Sequence, residues 1–224
     1  MEDKIYRDYR GIRGLVAAKI LKDADGVYEC EAPFWIAGAS TLTKETATST
    51  ATKYYDNVPG IIISATGSDT VNIETSAIDD NVVAKLTGQD YFDELGMLVE
   101  GEGSNDYYAF GYITEKTDGT EIFVWRNKGQ FSKPNSTHNT KNEGTDSNGQ
   151  SITFTGISTT GKSLATGKPF RATIVDQSVN PWSEEEFFAQ VQTPDTIAKK
   201  AAESGTSVVG KGVVGKMTVG KESV

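Results

Sequence analysis

The chain has 224 residues, 37% of them hydrophobic and 24% charged, a formal net charge of −9 and one cysteine. That length supports one full hydrophobic core. A single cysteine excludes an internal disulfide, and an acidic balance argues against gripping nucleic acid by counterion release. No run approaches the roughly 18 apolar residues that read as a membrane-spanning helix. The start, Met1-Glu2-Asp3-Lys4, is acidic and leads to no apolar core, so no secretory signal is expected. Cytosolic synthesis follows as the expectation.

Residues 1–14 mix charge, Tyr and Gly without a period and read as an extended N-terminal arm. Leu15 to Leu21 reads as a first strand, Asp23-Ala24-Asp25-Gly26 as a turn and Val27 to Glu31 as the return. The turn lacks the further acidic ligands and late Glu of a calcium loop, so no metal is expected there. Residues 34–53 are Thr-rich and lack a helical apolar period. They leave two readings open: a low-complexity linker, or a segment that is strand-prone once paired. Ile61 to Thr66 predicts a strand after Pro59-Gly60. Gly67-Ser68-Asp69 reads as a short hairpin into a half-buried strand at 70–76, where Val71, Ile73 and Thr75 alternate.

Ile78, Val82 and Leu86 fall at i, i+4 and i+8, which predicts a helix from Asp79, ending at Gly88. Tyr91, Phe92 and Leu95 suggest a short second helix over Asp90–Leu95 with those side chains inward. Residues 107–115 and 120–127 are rich in β-branched and aromatic residues and flank Asp118-Gly119. They predict an antiparallel hairpin. A polar insertion runs from Ser132 to Gln150, with Asn148-Gly149 as a turn signal. Ile152, Phe154 and Ile157 then predict another buried-face strand, and Phe170 to Val175 a late one. Ser183-Glu184-Glu185-Glu186 is a capping box for a helix to Val191, with Phe187, Phe188 and Val191 on its buried side and Pro194 as its stop. From Thr196 the tail carries five lysines against two glutamates, with Val-Val-Gly-Lys and Val-Gly-Lys units that read as extended. The domain reading is therefore an arm at 1–14, a β-domain at 15–192 with a long loop at about 37–57, and a Lys/Gly/Val-rich arm at 193–224.

Little here reads as catalysis. Residues 156–163 match the phosphate-loop pattern G-x-x-x-x-G-K-S. A helix must start at the Lys to meet a phosphate, yet Gly167 and Pro169 follow too closely, so the match reads as a turn between strands. His138, the only histidine, and Cys30 cannot by themselves make a structural zinc site. Asn135-Ser136-Thr137 fits a glycosylation pattern that has meaning only in a secreted chain. No cofactor and no enzyme activity are expected.

Val124-Trp125, Lys128-Gly129-Gln130-Phe131, Thr140 and the Ile152–Ile157 strand, with Ala17-Ala18-Lys19-Ile20 and Tyr54-Tyr55-Asp56-Asn57, carry a resemblance. Over roughly residues 12–190 the chain resembles the major tail tube proteins of long, non-contractile-tailed bacteriophages. The resemblance implies a mainly β fold, a sandwich or partly closed barrel of antiparallel sheets. It also implies a flanking α-helix, a short second helix, a long loop and terminal arms. It implies self-assembly into stacked six-membered rings, with tape-measure, terminator and baseplate or initiator proteins as partners. DNA would pass the lumen without specific binding, in a virion tail built in the host cytoplasm. It casts Thr43, Lys44, Glu45, Tyr54, Tyr55 and Asp56 as inter-ring contacts, and Trp125, Lys128, Gly129 and Phe131 as packing residues. The other reading is a β-sandwich binding module for a carbohydrate or receptor, with Trp35, Trp125 or Trp182 as stacking platforms.

Overall fold

The computed structural model of the chain describes residues 6–140 and 148–203. In chain order these form β1 (Tyr9–Ala24), β2 (Val27–Cys30), β3 (Phe34–Trp35), β4 (Ala39–Tyr55), β5 (Val58–Thr75) and α1 (Asp80–Thr87). There follow β6 (Asp90–Phe92), β7 (Met97–Val99), β8 (Tyr108–Lys116), β9 (Glu121–Phe131), β10 (Asn135–Ser136) and β11 (Gln150–Gly156). β12 (Ala172–Asp176), α2 (Glu184–Phe188) and α3 (Pro194–Glu203) complete the series. The fold is mainly β, as expected. One antiparallel sheet runs β2-β1-β8-β9-β11-β5-β4, with β3 on β1, β10 on β11 and β12 on β9.

The sheet is organised around β8 and β9. Gly119, at φ 85°, takes the left-handed turn that joins them, and Tyr112 pairs with Val124, Ile113 with Phe123. Side chains alternate along a strand, so each strand serves two cores. Phe110, Tyr112, Ile122 and Val124 join Leu15, Val71, Ile73, Phe131 and Phe154 in one cluster, closed by Val83 and Leu86 of α1. Ala109, Ile113, Phe123 and Trp125 face the other way, onto Phe187 and Val191, with Ile197 of α3 beside them. Burial on both faces explains why β9 shows no polar alternation.

β9 is forked. Ile122 to Arg126 pairs with β12, and Gly129 to Phe131 pairs with β11. Gly129 lies at the second joint because nothing larger fits: an added Cβ would stand 2.4 Å from Phe154 Cζ and 2.5 Å from the Thr155 carbonyl. Lys128, between the two joints, is nearly buried and donates to Asp23 at 2.6 Å and to Thr160 Oγ1 at 2.7 Å.

Several sequence expectations are corrected. The N-terminal arm is shorter, because β1 already pairs with β8 from Tyr9↔Lys116. Gly67-Ser68-Asp69 is no hairpin: β5 runs straight through it, and the turn falls at Asp56-Asn57, where φ is 50° and 65°. Positive φ at both central residues is the requirement of the tight turn that matches strand twist. Residues 90–95 are not a helix but a strand and a single 3-10 turn, leaving Phe92 and Leu95 exposed. Pro194 does not end a helix; it opens α3, a position where its missing N–H is harmless. The helix before it is shorter than expected, ending at Phe188, though its cap holds: Ser183 accepts from the Glu186 N–H at 3.1 Å. Thr196–Glu203 is therefore helical, while the Val-Gly-Lys units of the tail lie outside the described residues. The strand expected through Ile157 ends at Gly156.

Candidate assembly surfaces

Two features of the sheet stand out, a projecting ribbon and a charged cleft. The ribbon is the distal part of the β4–β5 hairpin. β5 is backed by β11 only from Asp69 to Thr75. From Thr48↔Thr66 to Tyr55↔Val58 the two strands pair only with each other among the described residues. A register shift between Thr46 and Thr48 marks the point of departure, as a bulge would where a strand bends away. Eight residues of strand reach roughly 27 Å. The ribbon carries Tyr54, Tyr55, Val58, Ile61, Ile62 and Ile63 in the open, Ile62 at 69% exposure. Isolated two-stranded ribbons are marginal in water, and a row of exposed apolar residues marks an interaction site.

The six residues expected at inter-ring contacts all fall on this hairpin, but in two places. Tyr54, Tyr55 and Asp56 form its tip. Thr43, Lys44 and Glu45 sit at its base, opposite Asn72, Val71 and Thr70, where β5 is backed by β11. Val58 and Ile61 to Ile63 escaped sequence reasoning, which took the isoleucines for an ordinary strand. The available signal was three isoleucines in a row, which must put apolar groups on both faces of one strand.

Asp69 is the second surprise. The supposed turn residue is 2% exposed and holds three cations. It accepts from Arg126 Nη1 at 3.1 Å and Arg171 Nη1 at 3.0 Å, lies 3.9 Å from Lys44 Nζ, and takes the Thr46 hydroxyl at 2.9 Å. Arg126 is buried too, donates to the Tyr112 hydroxyl at 3.2 Å, and keeps its Nε without an acceptor. Three positive charges thus share one carboxylate. Two of them, Lys44 and Arg126, line a cleft of about 760 Å³ between the start of β1 and the base of β4, together with Tyr112, Ile122 and Val124.

The phosphate-loop match is occupied by the protein itself. The N–H groups of Thr160 and Gly161 donate to Asp23 at 2.7 and 2.8 Å, and that of Lys162 to Asp25 at 3.0 Å. Ser163 donates to Asp195 at 2.7 Å. Burial alone would push the Asp23 carboxyl up. Lys128 and the two backbone donors outweigh it and hold the group below the ordinary carboxylate range.

The remaining candidates separate. Burial pushes the Cys30 thiol up to about 11, so it stays protonated near neutrality; His138 lies in an exposed stretch. No cluster of three metal-ligating side chains occurs among the described residues. Trp125 is fully buried, and Trp182 lies under Lys200, whose Nζ is 3.5 Å from the ring centroid. Trp35 is exposed at 56% and Trp182 half-buried, so Trp35 is the most open of the three expected stacking platforms. Phe131 and Gly129 pack in the first core, as described above.

No protein-family model matches the chain, and no curated protein does. Among solved structures, the chain is similar to a component of the anti-feeding prophage baseplate, determined by cryo-EM with six-fold symmetry. The TM-score is 0.37 and the identity 10%, over 78% of this chain and 97% of that one. At that level the likeness carries no functional inference.

Proposed function

We propose that the chain is a structural subunit of a bacteriophage tail tube, assembling with itself into stacked six-membered rings that conduct DNA. The observation that supports this best is the ribbon at 48–66. Among the described residues it pairs with no strand beyond its own ladder, and it carries exposed apolar side chains. Such an element has a physical reason to exist if another molecule covers it. The sequence resemblance to tail tube proteins supports the same reading. The acidic balance suits a wall along which phosphates slide rather than stick.

In this reading the folded subunit is an incomplete object. Ring closure and stacking bury the ribbon, with tape-measure, terminator and initiator proteins setting length and ends. The chain performs no catalysis and needs no cofactor. Negative-stain microscopy of the purified chain tests the reading: rings or tubes are expected. A chain that stays monomeric at high concentration, with tail initiators present, would sink it.

A further inference from the structure

The cleft has cations to spare, and another part of the same chain has carboxylates and apolar groups to match. β6 and β7 form a small hairpin closed by the 3-10 turn Asp93–Leu95. Phe92, Leu95, Met97 and Val99 are exposed on it, Leu95 at 71%. Asp93 and Glu94 stand at its tip, and neither makes an ion pair with another described residue. The cleft shows the reverse pattern. Lys44 and Arg126 line it and share with Arg171 the single carboxylate of Asp69, while Ile12, Leu42, Val124 and Ile174 supply apolar wall.

The two features belong to different hollows of the surface. The cleft is bounded by Tyr9, Arg10 and Thr114; the depression beside the hairpin is lined by Tyr91 and Asp93 with Lys19 and Tyr108. β1 pairs Arg10 with Glu115 at one end and Lys19 with Tyr108 at the other. The charged part of the cleft is nearer the second end, since Arg126 pairs with Phe110 and Phe110 with Ala17. None of residues 90–99 lines the cleft of its own chain, so a hairpin seated there comes from a second copy.

We infer that the 90–99 hairpin of one copy seats in the β1–β4 cleft of the next. Asp93 and Glu94 meet Lys44 and Arg126, and Leu95 and Phe92 cover Ile12, Leu42 and Ile174. This rests on the tail tube reading and names one of its contacts. The two surfaces differ, so the contact is heterologous: it propagates, closing into a ring or running on as a filament.

A charge exchange tests it. Lys44→Glu and Glu94→Lys each alter an exposed side chain, and thermal melting checks that each variant folds. Each alone is expected to lower the self-association constant, measured by sedimentation, about tenfold or more. An equimolar mixture, or both changes in one chain, is expected to recover most of the loss. Glu94→Lys keeps the test sharp should Lys44→Glu unfold. Tubes that form from every single variant as from the parent would overturn this contact and leave the tube reading standing. A parent chain monomeric at every concentration would overturn both.

Discussion

The β4–β5 hairpin is one continuous ladder whose two halves live in different surroundings. At its base, Val71 and Ile73 are buried in the first core, and β11 completes the hydrogen bonding of β5. Roughly 27 Å further on (eight residues, from Val71 to Ile63), the same two strands present Ile61, Ile62 and Ile63 to water. Strand propensity is similar in both halves; the difference is whether a third strand and a second layer exist. β-structure is thus stabilised by what stands on its faces, and the base has that within the chain while the tip does not.

The largest effect expected from breaking this contrast is at Asp69. Asp69→Ala leaves Arg126 and Arg171 facing each other without their carboxylate, and removing one partner of a buried pair costs about 3–5 kcal/mol. Urea unfolding of the variant measures it. Next comes a matched pair on one strand. Ile73→Ala, at 1% exposure, is expected to destabilise by about 2–5 kcal/mol. Ile62→Ala, at the tip, is expected to stay within about 0.5 kcal/mol. If the two differ little, the halves are not distinct.

Removing residues 47–66 and rejoining Thr46 to Gly67 through Asn-Gly is expected to leave melting nearly unchanged while abolishing ring or tube formation. A truncated chain that still forms tubes would show that the ribbon is not the stacking element. The smallest effect is the acid response of Asp23. Its folded-state pKa lies below the unfolded value, so its stabilisation is complete above about pH 4 and is lost as pH falls through the folded value. Asp23→Asn should therefore lose most relative to the parent at neutral pH and converge with it in acid, in paired urea titrations.

How much of this was legible beforehand depended on how local its causes are. The β8–β9 hairpin announces itself through Asp118-Gly119 and the aromatic run that follows. α1 does so through Ile78 and Leu86 on one face and Gly88 at φ 66° as its stop. The course of β5 was hidden. Gly67-Ser68-Asp69 has turn composition, and it remains extended because Arg126 and Arg171, 57 and 102 residues away, take up its carboxylate. Residues 90–95 have helical apolar spacing but too few residues to sustain a helix, and Gly96 at φ 57° closes the single turn. Of the expected contact residues, Tyr54, Tyr55 and Asp56 were named through the resemblance alone, and the turn at Asp56-Asn57 places them at the tip. Thr43 to Glu45 were grouped with them, since only the register reveals that they belong to the base. The cleft was illegible altogether, being built from β1, β4, β8, β9 and β12.

Gly129 has a reach well beyond its own size. Phe131, Gln130 and Gly129 pair β9 with β11, flanked by the Ser132 N–H to the Thr153 carbonyl and the Ile157 N–H to the Lys128 carbonyl, and β11 in turn carries β5. These rungs, with the Arg126 and Arg171 bonds to Asp69, help set the angle at which a lever of twenty residues leaves the body of the molecule. A single methyl at Gly129 would prise those rungs apart at Phe154. It would change where the far end points by ångströms while hardly disturbing the residues that do the touching. A lost function mapped to this position would then be a fault of aim, in a subunit whose every contact residue is intact.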